Sequence, residues 1–388
     1  MKYLKQPPQK LLFDGNKLLW YPDRLEKFMK GEKITPISVD IGIHKGCNIS
    51  CVFCYGYYQK KSMDYIPTSA LLRFTKDCKR CEIKGVAIVG DGEPTLNAGL
   101  YEFVEALTEN KIASAVATNG LLLDDKKINR LTANCSWLRF NVSAVGDRYP
   151  DIHRGTKIAD FHRLEGIIRY AVENKGDCTI GIQMVLIPDC FDQIIPFAEW
   201  ALAIGVDYAQ IKQFSFPGSK IPVKVNMGRY NEAIELLKKA EKMSTETTKI
   251  KIKWKAIEDS QNIALANKWD FDRCIDLPFL FQVSGNGKCY PCGYLFNNEK
   301  YCYGDLITDS LYDIIQSDRY WNIIDEISKI PMKKLCLGQC RHCSSLQFMD
   351  RFTKAYKENT IEALISLCGS KEQYELLRDN PPKHLEFC

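Results

Sequence analysis

Histidine is scarce in this chain: five residues in 388 (His44, His153, His162, His342 and His384), forming no ligand spacing. That leaves no imidazole-built metal centre to read. No run of 18 apolar residues occurs, so no segment reads as a membrane-spanning helix. Residues 1–16 mix Lys, Gln, Pro and short apolar runs, a composition that does not read as a basic and apolar export leader, so an unexported chain is expected. Charge of one sign is in short supply too. With 53 Lys and Arg against 48 Asp and Glu, the net charge of +5 gives no basis for a nucleic-acid or membrane surface, although an anionic substrate stays compatible with it. There is no low-complexity tract and no obvious linker. The expectation is a soluble, cytoplasmic chain with no nucleic-acid and no membrane partner. Its 388 residues, 45% of them hydrophobic, suffice for one large domain plus a smaller one.

What the chain has in excess is cysteine. The 17 cysteines are an odd number, and more than half of them fall into tight CxxC-type sets. In an intracellular chain such sets point to metal rather than to disulfides. The most informative set is Cys47, Cys51 and Cys54, in the run Cys-Asn-Ile-Ser-Cys-Val-Phe-Cys directly after a mostly apolar stretch. This spacing supplies three thiolates to one compact site and no fourth. A [4Fe–4S] cluster has four irons, each wanting one external ligand, so three cysteines leave one iron open for chemistry. A three-cysteine zinc knuckle and a set of free buried thiols are the plainer readings.

From about residue 36 to residue 255 short β-branched runs alternate with helical periodicity, the pattern of βα units around a parallel sheet. Strands are expected at 38–43, 85–90, 114–118, 137–143, 179–187 and 207–213. Helix starts are expected near Thr68 or Ser69, Asn97, Asp124, Asp160 and Asp192. Six strand–helix repeats make an α/β fold, a partial (β/α)6 barrel, whose working residues belong at the C-terminal strand ends. The three-cysteine loop, Gly90 to Glu93 and Thr118-Asn119-Gly120 all fall at or just past such ends. Residues 1–36 read as an N-terminal cap packed through Trp20, Tyr21 and Phe28, residues 37–255 as the barrel, and residues 256–388 as a cysteine-rich domain.

Some forty residues beyond the cysteine loop stands Gly90-Asp91-Gly92-Glu93-Pro94. Three cysteines after the first strand, an aromatic (Phe53) before the last of them, and a Gly-Glu-Pro turn after the second strand together resemble the radical S-adenosylmethionine (radical SAM) enzymes. The resemblance implies that Cys47, Cys51 and Cys54 hold a [4Fe–4S] cluster whose open iron binds SAM. One electron then cleaves the sulfonium to methionine and a 5′-deoxyadenosyl radical, which abstracts hydrogen from substrate. Gly92 would allow close backbone approach, and Glu93 or nearby carbonyls would accept from the SAM amino group. The family usually has two glycines before the Glu, and here Asp91 takes the first of those places. Ser143 matches the family's ribose-contacting position and Arg154 the place of an arginine near the SAM carboxylate. Asn119 and Gln183 are further candidates on the third and fifth strands. For each of these polar residues a structural role is the alternative.

A second cysteine constellation lies downstream: Cys274, the Gly-Asn-Gly-Lys-Cys-Tyr-Pro-Cys run at 285–292, and Cys336-x3-Cys340-x2-Cys343. A strand over 279–284 running into a Gly-Asn-Gly turn predicts a hairpin. The set resembles the auxiliary-cluster extension of radical SAM enzymes called SPASM, or its single-cluster form, twitch. By that resemblance Cys274, Cys292, Cys340 and Cys343 hold one auxiliary [4Fe–4S] cluster, with Cys289 and Cys336 as alternates; zinc suits four thiolates as well. Cys78 and Cys81 lie on a predicted helix and read as structural. Cys135, Cys178 and Cys190 read as core, with hydrogen-atom donation by one of them, or by Cys302, as an alternative.

The function expected is a radical SAM oxidoreductase taking electrons from a flavodoxin- or ferredoxin-type donor. Its substrate is expected to be a carbohydrate or small metabolite, a lean taken from the opening run at 13–22. The alternatives are a peptide-modifying maturase, against which only 46 residues precede Cys47, and a non-catalytic iron–sulfur or zinc protein.

Overall fold

Along each strand of the barrel, β-branched and aliphatic residues alternate with small or polar ones, and this period of two decides which side faces the helices. The computed structural model describes residues 15–57, 59, 61–214, 227–258, 271–331, 334 and 343–387. Phe13, Asp14, Cys336, Cys340, His342 and Cys388 lie outside the described residues.

The strands are β1 (Ser38–Ile41), β2 (Ser50–Cys51), β3 (Gly85–Ile88), β4 (Ala113–Thr118), β5 (Trp137–Asn141), β6 (His153–Arg154), β7 (Thr179–Leu186), β8 (Tyr208–Gln213), β9 (Lys249–Ile252), β10 (Leu280–Val283), β11 (Lys288–Tyr290) and β12 (Gly304–Asp305). Ten of them form one sheet in the order β12-β11-β10-β1-β3-β4-β5-β7-β8-β9, while β2 and β6 make a separate antiparallel ribbon. Neighbours from β10 through β1 to β9 are parallel, and β11 and β12 are antiparallel additions. All six expected barrel strands are present, and β9 continues the parallel series.

The expected hairpin after residue 279 is β10–β11, closed by a Gly287 N–H to Ser284 C=O bond with Gly287 at φ +88°. It does not stand apart from the barrel. Ser38 to Ile41 of β1 pair in register with Leu280 to Val283, so the sheet crosses the boundary expected between the barrel and the cysteine-rich domain.

Helices cover the outer face. Thr68–Arg80 follows Pro67 and buries Ala70, Leu71, Phe74 and Cys78 at helical spacing. Asp124 caps Asp125–Asn134 by accepting from Lys127 N–H at 2.9 Å. Asp160 does not precede its helix: it is the third residue of Ile158–Glu173 and accepts from the Lys157 N–H. Val39, Ile41, Val86, Ile88, Val116, Leu138, Phe140, Ile180 and Ile182 form the main core with these helices. The opposite parity faces the barrel interior, where Ala87, Ala115, Ala117 and Trp137 make a separate apolar cluster with Phe387.

That cluster shows how the floor of the barrel is closed. Phe387 packs its ring 5.7 Å from Trp137 at the N-terminal end of β5. His384 Nε2 lies 2.8 Å from Thr179 Oγ1 at the start of β7. The N-terminal segment clamps this tail, because Lys17 Nζ donates to the carbonyls of His384 and Phe387, both at 2.7 Å. Trp20 and Tyr21 donate to the Leu377 and Leu385 carbonyls, and Phe28 packs on Phe279 at 5.2 Å. Two of the three expected packing residues, Trp20 and Tyr21, therefore join the two ends of the described chain, and Phe28 packs at the start of β10.

Burial, aided by Lys383 and Lys17, pushes His384 down to about 3. An unfolded imidazole titrates near 6.5, so below that pH the unfolded chain binds a proton that the folded chain declines. Stability is therefore intact above pH 6.5 and falls as the pH drops toward 3. Of the stability lost on going from pH 7 to pH 5, His384 is expected to account for up to about 2 kcal/mol, measured by denaturant unfolding at the two pH values. His384→Asn, which tolerates the left-handed φ of +60°, is expected to shrink that loss.

Candidate active site

The C-terminal end of β1 runs through Gly42 to Gly46 into the cysteine loop, and very little room surrounds it. A Cβ on Gly42 would sit 2.6 Å from Asp91 Oδ1 and 2.9 Å from the Gly285 nitrogen. One on Gly90 would meet the Gly42 Cα at 2.5 Å, and one on Gly92 the His44 carbonyl oxygen at 2.1 Å. One on Gly285 would meet the His44 carbonyl carbon at 2.5 Å. The tops of β1, β3 and β10 thus touch backbone to backbone. What Gly92 accommodates in this structure is the chain's own cysteine-loop entry, and Glu93 N–H donates to the Gly46 carbonyl at 2.8 Å.

Asp91, where the family usually has glycine, sits between these turns and is buried. It accepts from Ser284 Oγ at 2.7 Å and from Gly285 N–H at 2.8 Å, tying the turn after β3 to the turn after β10. Burial pushes its carboxyl up, against those hydrogen bonds and the charge of Lys45. Glu93 is buried as well. Oε1 accepts from Thr95 N–H (3.1 Å), Thr95 Oγ1 (2.6 Å) and Thr118 Oγ1 (2.6 Å), and Oε2 accepts from Asn119 N–H (2.8 Å). Oε2 keeps capacity for one further donor.

Cys47, Cys51 and Cys54 are free, half-buried thiols on this loop. Burial pushes the thiols of Cys47 and Cys51 up, and the neighbouring cysteines push further, while Lys61 opposes both. The groups placed beside the sulfurs are donors rather than additional ligands. Asn119 Nδ2 lies 3.8 Å from Cys47 Sγ and 2.7 Å from Asn48 Oδ1. His153 Nδ1 lies 3.1 Å from Cys51 Sγ. Three sulfurs on one loop, with amide and imidazole N–H groups beside them, fit a cluster that takes three protein ligands.

Among the other candidates, Ser143 is fully buried; its hydroxyl accepts from Val185 N–H at 3.0 Å. Arg154 is exposed and pairs with Ser50 in the β2–β6 ribbon. Gln183 faces the barrel interior and donates to Asn141 Oδ1 at 3.3 Å. The structure brings Gly92, Glu93 and Asn119 to the cysteine loop. Thr118, Lys61 and His153 join them without having been singled out. Their one sequence signal is position, at a strand end or within a few residues of a loop already marked.

Of the downstream cysteines, Cys292 is held close to the same mouth. Gln59 Nε2 donates to the Gly293 carbonyl at 3.0 Å, next to Cys292. Asn297 Nδ2 donates to the Gln59 carbonyl at 2.8 Å, and Lys45 Nζ donates to Asn297 Oδ1 at 2.6 Å. Cys274 is buried, and Asp276, two residues on, takes a hydrogen bond from Ser345, two residues past Cys343. Cys343 is described only as the first residue of the helix Cys343–Ala355, and Cys336 and Cys340 lie outside the described residues. Buried Tyr303 carries a hydroxyl with no hydrogen-bond partner among the described residues, within the electrostatic reach of Cys292, Cys274 and Cys289. The thiols of Cys274 and Cys292 suit the ligand chemistry of an iron–sulfur group. Cys78, Cys81, Cys135, Cys178, Cys190 and Cys302 are buried.

A parallel barrel with a three-cysteine loop at its C-terminal mouth and a second cysteine set laced to that loop defines a class of iron–sulfur enzyme. Family comparison agrees: the radical SAM superfamily model matches residues 41–201, and an iron–sulfur cluster-binding domain, SPASM, matches residues 274–344. The chain belongs to the radical SAM superfamily and carries a SPASM-type domain. Its cofactors are a SAM-binding [4Fe–4S] cluster, SAM and auxiliary iron–sulfur. It is similar to the tungsten-containing aldehyde ferredoxin oxidoreductase cofactor-modifying protein of Pyrococcus furiosus, 22% identical over 71% of this chain and 79% of that one. The mycofactocin maturase MftC of Mycolicibacterium smegmatis is 24% identical over 47% of this chain and 46% of its own. Of solved structures, Streptococcus suis SuiB bound to precursor peptide SuiA shares the fold at a TM-score of 0.62 and 16% identity, over 82% of this chain and 75% of that one. Native anSMEcpe with bound AdoMet does so at 0.58 and 18%, over 86% and 99%.

Gly92→Ala is expected to displace the loop, because the His44 carbonyl is backbone and has nowhere to go. Iron and acid-labile sulfide should fall toward the auxiliary content alone. Asp91→Ala leaves Ser284 and Gly285 donors buried without an acceptor, and is expected to lower unfolding free energy by about 3 kcal/mol in denaturant titration.

Proposed function

We propose that this chain reductively cleaves SAM at the Cys47, Cys51 and Cys54 site and abstracts hydrogen from a peptide, as a maturase of a ribosomally made precursor. The observation that carries the reading is the lacing of Gln59, Lys45 and Asn297, which holds the segment after Cys292 to the cysteine loop at one barrel mouth. When bound, the cluster supplies the single electron that breaks the SAM sulfonium. Cys47, Cys51 and Cys54 ligate it, and Cys274, Cys292, Cys340 and Cys343 hold the auxiliary cluster. Glu93 fixes the turn after β3 on the end of β4 and offers its remaining lone pair to the SAM amino group. Arg154 serves the carboxylate end, Ser143, with its hydroxyl buried on Val185 N–H, holds the end of β5 against β7, and Asn119 orients Cys47 through its amide. The interior positions of β5, β8 and β9 carry Arg139, Lys212 and Lys251, with Gln183 and Gln210 beside them. Such a basic and amide-rich lining suits peptide carbonyls and carboxylates.

The peptide reading is favoured over a carbohydrate or small-metabolite substrate because relatives named as maturases, and a fold neighbour solved with its precursor peptide, recur in the comparisons. The Pyrococcus furiosus relative, which matches more of the chain, keeps a cofactor-type small molecule as the second reading. The electron donor is of flavodoxin or ferredoxin type.

Anaerobically reconstituted protein with SAM and dithionite is expected to form 5′-deoxyadenosine, and Cys51→Ala to reduce it at least about 100-fold while losing about four iron per chain. Peptides encoded beside the gene are the substrates to test by mass spectrometry. A Cys51-dependent mass change in one of them supports the maturase reading. Turnover stimulated by small metabolites and by none of the peptides would overturn it.

A further inference from the structure

The ring of His153 is wedged between the cysteine loop and the end of β5, and its two nitrogens face different partners. Nε2 lies 2.9 Å from the backbone nitrogen of Ser143, and Nδ1 lies 3.1 Å from Cys51 Sγ. A backbone N–H can only donate, so Nε2 must be the bare, accepting nitrogen. In a neutral imidazole the one proton is then on Nδ1, directed at the Cys51 sulfur.

Three further contacts fix that direction. His153 and Cys51 are opposite partners in the β2–β6 ribbon, so backbone pairing sets their separation. Tyr149 stacks on the imidazole at 4.4 Å with the planes 23° apart. Phe53 meets it edge-on at 5.9 Å. The ring is fully buried, so water does not compete for either nitrogen.

We propose that His153 is a positioning residue of the SAM-site cluster, a neutral Nδ1-protonated imidazole that donates a hydrogen bond to the Cys51 thiolate and raises the cluster's reduction potential. This rests on the reading of Cys47, Cys51 and Cys54 as the cluster ligands. Reduction adds negative charge to the cluster and its thiolates, and a buried donor on a ligand sulfur stabilises the more negative state more strongly. The same bond holds Cys51 in one rotamer, so the ligand is pre-aimed before the cluster arrives. Arg154, the next residue of β6, is exposed, whereas His153 is fully buried.

Three variants of the reconstituted holoenzyme separate this role from a structural one. His153→Gln places a carbonyl oxygen where Nε2 stood, satisfying Ser143, but removes the donor at Nδ1. His153→Phe removes both and keeps the stacking. His153→Asn places an amide nitrogen where Nδ1 stood. The readouts are the midpoint potential of the SAM-responsive EPR component and its exchangeable-proton coupling by pulsed ENDOR. Iron content and melting temperature of each variant accompany them.

Gln and Phe are expected to lower the ratio of reduced to oxidised cluster about tenfold at a fixed poise, equivalent to ~59 mV for a one-electron couple. They should also lose one exchangeable-proton coupling, and Asn should recover both. A Gln variant with wild-type iron, potential and proton coupling overturns the proposal. A wild-type EPR signal that ignores SAM removes the ligand assignment beneath it, and the proposal with it. Should Phe fail to hold iron, the comparison of Gln with Asn decides alone.

Discussion

Everything at the barrel mouth depends on one crowded contact, where the backbone leaving β1 passes between the turns after β3 and β10. Gly42, Gly90, Gly92 and Gly285 supply backbone with no side chain at the places where a Cβ would fall within 2.1 to 2.6 Å of a neighbour. The one side chain admitted there, Asp91, spends both carboxylate oxygens on the β10 turn. The cysteine loop therefore begins from a point fixed by three strands. Its sulfurs inherit that precision from rigid elements rather than from the loop itself.

The same contact explains why the cysteine-rich region is no detached appendage. Parallel pairing of β10 with β1 extends the barrel sheet, and β11 and β12 extend it again. Lys45 and Gln59 on one side and Gly293 and Asn297 on the other then stitch the flanks of the two cysteine sets together. On the outer face, Arg73 donates to the carbonyls of Leu306 and Ile307, and Asp77 accepts from Leu311 N–H. A shift of the auxiliary region relative to the barrel would break several of these bonds at once.

Much of this was legible in the residues. Period-two runs located six barrel strands because buried parallel strands need β-branched residues on the helix side, and Asp124 announced its helix by the chemistry of capping. The cysteine spacing marked the loop because few other functions need three thiols so close. What stayed hidden depends on partners distant in sequence. Nothing local in Leu280 to Val283 says that it pairs with β1. The floor of the barrel, built from Lys17, His384 and Phe387, joins residues about 370 apart. Asp91 read as a departure from a motif, whereas its partners lie 193 and 194 positions on. His153 stood inside a run already marked for its arginine, and only the register of a two-residue ribbon turns it toward Cys51.

The electrostatics of the trio give the site its dependence on what it binds. Burial and mutual proximity keep Cys47 and Cys51 as thiols near neutral pH, since two thiolates there would face each other without water to screen them. Burial opposes the charge on Lys61, and thiolates at Cys54 and Cys47 would favour it. One ammonium cannot balance three thiolates, whereas a cationic iron–sulfur core can, so ligation and deprotonation must proceed together. The N–H groups of His153 and Asn119 are already placed beside the sulfurs before that exchange occurs. They would stabilise the thiolate form that a bound metal requires, and three cysteines on one loop supply three of the four ligands that a [4Fe–4S] cluster takes.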